Sequence, residues 1–242
     1  MNDLHNSKRN QVNRLVALTV LILSILIPSY GASAADPAIS SRLQESLQAF
    51  SRIMASRQSA VPPVLLQKAE GIIMIPDMLK ASFLVGTRFG KGVLMVKGKD
   101  GRWSNPALIT FNGGSFGLQL GLQSTDLVLV FRRSRALEAR ARGNIVLGTD
   151  MSVVAGTFGL HLDEITEADL SAEIYSFSRS SGLNAGFALQ GASIRLDDAA
   201  TSNLYGKKGL LAQDVLWGKY DTATPEVARF KDTFLKMIGK AQ

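Results

Sequence analysis

Residues Ser115–Gln123 read SFGLQLGLQ. Phe116, Leu118, Leu120 and Leu122 alternate with Ser115, Gly117, Gln119 and Gly121. A strict period of two belongs to an extended chain with one apolar face. The small residues on the other face let something approach closely, or let the strand coil sharply. This stretch is expected to be one strand, and its neighbours extend the same reading.

Upstream, Gly71–Ile75, Ala81–Thr87, Gly92–Lys97 and Ala107–Phe111 are short apolar or β-branched runs. They are separated by Pro76-Asp77, by the Asp100-Gly101 turn and by Pro106. Downstream, Asp126–Phe131, Ile145–Leu162, Ala172–Ser178 and Gly182–Leu196 continue the pattern, and Asn112–Gly114 reads as a turn. Such runs between turn signals predict about nine or ten strands, and hairpin-length connections favour antiparallel pairing. The expected fold class is α+β, a mainly antiparallel sheet curled into a barrel or sandwich with helices at its ends.

The flanks are helical. Ile39, Leu43, Leu47, Phe50 and Met54 define one face of an amphipathic helix. It would pack on its own domain or lie apolar face down on a membrane. Pro63 opens a short helix through Lys68. Ser134–Arg142, SRALEARAR, reads as a basic helix capped by Ser134. At the C-terminus Thr224-Pro225 supplies an N-cap and a first-turn proline. Val227, Phe230, Phe234 and Ile238 then form an apolar stripe.

Gly86–Gly92, GTRFGKG, has the composition of a phosphate-cradling loop. A Walker A loop places four residues between its first glycine and the Gly-Lys, then a Ser or Thr for magnesium. Here three residues intervene, Gly92 stands where the hydroxyl belongs, and Val93–Val96 reads as strand. The stretch is expected to be a β-turn, and nucleotide binding is set aside.

Residues 1–34 read as a secretory signal peptide. Lys8, Arg9 and Arg14 precede the apolar run Leu15–Ile27, and Ala32–Ala34 offers an A-x-A cleavage site. Thirteen apolar residues fall short of the ~20 that a spanning helix requires. The mature protein, 35–242, is expected to be a single domain that is secreted, into the periplasm. The leader holds three cations against one acid, so its removal lowers the net charge from +7 to +5. A basic protein favours polyanionic partners, and outside the cytoplasm lipid is favoured over nucleic acid.

Cysteine is absent, which excludes disulfides, zinc-thiolate sites and a thiol nucleophile. His161 is the single histidine of the mature chain, and no serine sits in a G-x-S-x-G turn. The acids Asp163, Glu164, Glu167 and Asp169 lack EF-hand spacing. No catalytic residue, metal or cofactor is expected. Tyr175, Phe177 and Phe187 lie in apolar strands and read as core rather than as base-stacking platforms, so nucleic acid is not an expected partner.

From about Lys68 to Gly206 the chain resembles the SYLF-domain family. The resemblance rests on ordered segments: AEGIIMIP (Ala69–Pro76), GKGVLMV (Gly90–Val96), GRWSNPALI (Gly101–Ile109), SFGLQLGLQSTDLVLVF (Ser115–Phe131), LGTDMSVVAGTFG (Leu147–Gly159), IYSFSRSSGLNAGFALQGASI (Ile174–Ile194) and NLYG (Asn203–Gly206). Asn184 and Thr157 depart from the family's usual phenylalanine and proline. The resemblance implies non-catalytic association with anionic or phosphoinositide headgroups. It also implies actin binding in some eukaryotic members, which a secreted bacterial-type protein would not share. The other reading is an envelope structural or interaction protein that binds protein or glycan.

Two basic groups are candidates for headgroup contact. One is Arg132, Arg133, Arg135, Arg140 and Arg142, where guanidinium forks would suit phosphate oxygens. The other is Arg88, Lys91 and Lys97, with Lys99 and Arg102 nearby. Arg88 and Lys91 are expected to flank one turn and project from one end of the sheet.

Overall fold

The computed structural model of the chain describes residues 37–56, 60–83, 85–116, 121–133, 137, 144–147, 152–156, 165–180, 189 and 191–240. Two helices open it, α1 (Pro37–Met54) and α2 (Pro63–Gln67). Eight strands follow: β1 (Gly71–Phe83), β2 (Val85–Val96), β3 (Ala107–Phe116), β4 (Gly121–Phe131), β5 (Asn144–Leu147), β6 (Val153–Ala155), β7 (Ile174–Ser180) and β8 (Ala192–Leu196). Helices α3 (Asp198–Leu204), α4 (Ala212–Leu216) and α5 (Pro225–Lys240) end it.

The strands form one sheet in the order β5-β8-β3-β2-β1-β4-β7-β6, nearly closed into a barrel. Every pairing is antiparallel except the parallel β6–β7 pair. The expected α+β class holds, with eight described strands.

Two apolar layers line the sheet's two faces. The inner one gathers Ile73, Ile75, Met78, Leu94, Ile109, Phe111, Leu127, Leu129 and Ile194, with Ala212 and Leu216 from α4. The outer one gathers Ile72, Met74, Val93, Leu108, Val128 and Phe177 beneath Leu43, Phe50 and Ile53 of α1 and Phe230 and Phe234 of α5. Phe234 stands 5.8 Å from Phe50 and edge-on to Trp103 at 5.2 Å, which locks α5 to α1. The apolar face of α1 is therefore spent on its own sheet and is not offered to a membrane.

Several turn assignments are corrected. GTRFGKG lies inside β2, and Asn112–Gly114 lies inside β3. The glycines of the first stretch serve close packing. A Cβ on Gly92 would stand 2.2 Å from the Met74 carbonyl oxygen, and one on Gly90 would stand 2.5 Å from Ile75 Cγ2. The single strand Ser115–Gln123 divides: its first residues end β3, beside β2, and its last begin β4, beside β1. Pro76-Asp77 does not end β1. It forms a bulge between the pairs Ile75–Leu127 and Met78–Thr125, and the strand continues to Phe83.

Other expectations hold. Asp100-Gly101 turns the chain with Gly101 at φ 80°, closing the Lys97–Trp103 bridge. The Thr224 hydroxyl accepts from Val227 N–H at 3.3 Å and starts α5. Tyr175 and Phe177 are buried. The helix Ser134–Arg142 lies outside the described residues except at Leu137, which is helical and buried. Residues 1–34, His161, Asp163, Glu164 and Phe187 also lie outside them.

Candidate functional site

Cross-strand partners in a sheet present their side chains on one face, so the register assembles residues distant in sequence. Three successive rows on the outer face illustrate this. The first is Leu108, Val93, Met74, Val128 and Phe177, all buried in the outer layer.

The second row is charged. Arg195 pairs with Thr110, and Thr110 with Lys91. The Pro76-Asp77 bulge lies between Lys91 and Asp126, and Asp126 pairs with Arg179. In the third row Asn112 pairs with Phe89, Phe89 with Leu79, and Leu79 with Ser124. Phe89 and Leu79 are 55% and 56% exposed. Side by side, they form an apolar spot beyond the cover of α1, with Lys91 next along β2 and Arg195 two strands away on the same face.

The last turn of α1 reaches the charged row. Arg52 grips Asp126 with both prongs, Nε to Oδ2 at 2.6 Å and Nη2 to Oδ1 at 2.7 Å. The Asp126 side chain is 6% exposed. A buried carboxylate needs its charge compensated, and the Asp77 N–H adds a third donor at 3.2 Å. The same contact raises the Arg52 pKa, chiefly through the Asp126 hydrogen bond. At the other end of α1, Arg42 bonds Asp197 at 3.1 Å, so ion pairs fasten both ends of the helix to the sheet side.

Beside Arg52 lies a cleft of about 170 Å³, lined by Arg52, Asp77, Ser124, Asp126, Arg179 and Ser180. Asp77 holds a left-handed backbone, φ 41°, uncommon for a residue with a side chain. The bulge turns its carboxylate to the cleft, where Oδ1 accepts from the Ser124 hydroxyl at 2.8 Å. Among the described residues no group of acids, histidines or cysteines could hold a metal.

The sequence candidates are scattered. Lys91 is exposed and belongs to the charged row. Arg88 is three residues away on the same strand and so faces the opposite side. It is buried in the inner layer at 6% exposure, and desolvation lowers its pKa. The expectation that Arg88 and Lys91 project together is corrected. Lys97 donates to the Gln67 carbonyl at 3.0 Å and stands over the Trp103 ring, and burial lowers its pKa. Arg132 donates to the Leu170 carbonyl, and Arg133 pairs with Glu173 at 3.4 Å. Lys97, Arg132 and Arg133 sit near the start of β1, away from Lys91. Arg135, Arg140 and Arg142 lie outside the described residues.

Arg52, Arg179 and Arg195, missing from that candidate set, share the outer face with Lys91. Arg179 follows Tyr175 and Phe177 at period two, which marks its face; only the strand order brings it beside Asp126.

Residues 112–237 match the family model Ysc84, described as "Las17-binding protein actin regulator". The SH3 domain-containing YSC84-like protein 1 of Xenopus laevis is 32% identical over 177 residues, covering 72% of this chain and 52% of that protein. The human protein of that name is 31% identical over 175 residues, covering 72% and 49%. LAS seventeen-binding protein 3 of Saccharomyces cerevisiae is 34% identical over 149 residues, covering 60% and 32%. The chain thus spans about half the length of the animal relatives it matches.

Proposed function

The chain belongs to the Ysc84, or SYLF-domain, family, and from that premise we propose that it is a non-catalytic binding protein that docks on anionic membrane surfaces. The observation that carries this reading is the apolar spot of Phe89 and Leu79 beside Lys91, with Arg195 further along the same uncovered sheet face. Apolar side chains enter the interface between headgroups and acyl chains, while the cations meet phosphates. No helix among the described residues is long and apolar enough to cross a membrane. Docking is thus proposed to be peripheral, in a secreted, periplasmic protein whose leader, residues 1–34, is removed. N-terminal sequencing of the secreted product tests the cleavage before Ala35.

Vesicle flotation tests the docking. Vesicles containing phosphatidylglycerol should carry the wild-type protein, less so as salt rises. Each cation near an anionic surface contributes about 1 kcal/mol, so Lys91→Glu with Arg195→Glu should weaken binding at least about thirtyfold. A wild-type protein that floats with no anionic vesicle overturns the reading in favour of a protein or glycan partner.

A further inference from the structure

Within the charged cleft, the contacts divide the ionised groups into two kinds. Arg52 and Asp126 satisfy one another through two short hydrogen bonds. Asp77 and Arg179 retain capacity. The Asp77 side chain is 68% exposed, and its Oδ2 lies 3.9 Å from Arg52 Nη2, beyond hydrogen-bond reach. The Arg179 side chain is exposed and has no hydrogen-bond or ion-pair partner among the described residues. Its cross-strand neighbour Asp126 is already held by Arg52.

We infer that this cleft binds a small zwitterion bearing a primary ammonium and a phosphate, the ammonium on Asp77 and the phosphate on Arg179. The four ionised side chains sum to zero charge. A bare polyanion would gain Arg179 and meet the Asp77 carboxylate; a bare cation would meet the reverse. A zwitterion satisfies both open groups. The ammonium donates to the carboxylate, and the guanidinium fork takes the phosphate oxygens. On the sheet's other face the Thr125 and Ser180 hydroxyls, 3.0 Å apart, tie β4 to β7 behind Arg179.

The left-handed Asp77 fits this role. Strained backbone persists where surrounding structure holds it, and ligand clamps are among such places. Here the Asp77 N–H is tied to Asp126 and its carboxylate to Ser124.

The chemistry has two possible sources, an aminoalkyl phosphate lipid headgroup or a free aminoalkyl phosphate. The lipid source rests on the membrane-docking reading. Leu79 is the cross-strand partner of Ser124 in the cleft wall, so a seated headgroup would have its glycerol end next to the apolar spot.

The test uses the mature protein and two variants, Asp77→Asn and Arg179→Gln. Asparagine tolerates the left-handed backbone and removes only the charge. Vesicles with phosphatidylethanolamine should bind about tenfold tighter than matched phosphatidylcholine vesicles, whose quaternary ammonium cannot donate a hydrogen bond. Each variant should lose that preference and keep its binding to phosphatidylglycerol vesicles, which reports on Lys91 and Arg195. Titration with free O-phosphoethanolamine, followed by NMR, forms the second arm. Binding there without a vesicle preference keeps the site and assigns it to a soluble zwitterion, even if membrane docking fails. Equal binding of inorganic phosphate and O-phosphoethanolamine overturns the inference, as does a phosphatidylethanolamine preference that survives Asp77→Asn.

Discussion

Val93 and Phe89 lie four residues apart on β2 and face the same side of the sheet. Val93 is fully buried beneath α1, and Phe89 is 55% exposed. Chain identity, strand and face are shared; only the helix overhead differs. The outer face is therefore two surfaces, one closed by α1 and α5 and one left open, with charge along the border. Full burial of a large apolar side chain contributes about 1.5–3 kcal/mol, and Phe89 and Leu79 forgo much of that. The closed region should carry stability, the open one recognition.

The largest effect should come from the closed region. Phe50→Ala removes a fully buried ring against Phe234 and should destabilise by about 3–5 kcal/mol in chemical denaturation. A loss below that of Phe89→Ala would break the comparison. Next comes Gly92→Ala, whose new methyl would meet the Met74 carbonyl oxygen. The strands must part, and a cost of about 1–3 kcal/mol is expected, read as a lowered denaturation midpoint. At the border, Arg52→Ala strands the buried Asp126 carboxylate. Breaking a fully buried pair costs about 3–5 kcal/mol, and the part-exposed Arg52 should bring this nearer 2. Asp126→Asn should cost less than Arg52→Ala, since the amide needs no counter-charge. The smallest effect on folding belongs to the open region. Phe89→Ser should change stability by no more than about 0.5 kcal/mol while reducing vesicle flotation.

Periodicity made the flanking helices legible. Ile39–Phe50 and Val227–Ile238 repeat at helical spacing, and both stripes are buried. The β character of Ser115–Gln123 was equally plain, but its division was not. Alternation reports the local backbone and says nothing of which neighbour each half pairs with. Gly90 and Gly92 read as turn residues because glycine permits both a turn and a close approach. Only the Met74 and Ile75 atoms above them decide between the two.

The candidate site was less legible. The arginines dense in sequence near Arg132 are engaged elsewhere or lie outside the described residues. Lys91, Arg179 and Arg195 are set on one face by the pairing of six strands, which spacing along the chain does not encode. Arg52 lies off the apolar stripe of an amphipathic helix, and its role depends on where that helix ends over β4.

The bulge at Pro76-Asp77 also acts on everything beyond it. Before it, even-numbered β1 residues such as Met74 face outward; after it, odd-numbered Leu79 does. The extra residue is a phase shift in the strand's two-beat alternation. A strand of the same residues threaded without the bulge would keep its composition and its hydrophobic count. It would turn Met78 to the solvent and draw Leu79 into the barrel, erasing the apolar spot without altering any residue in it.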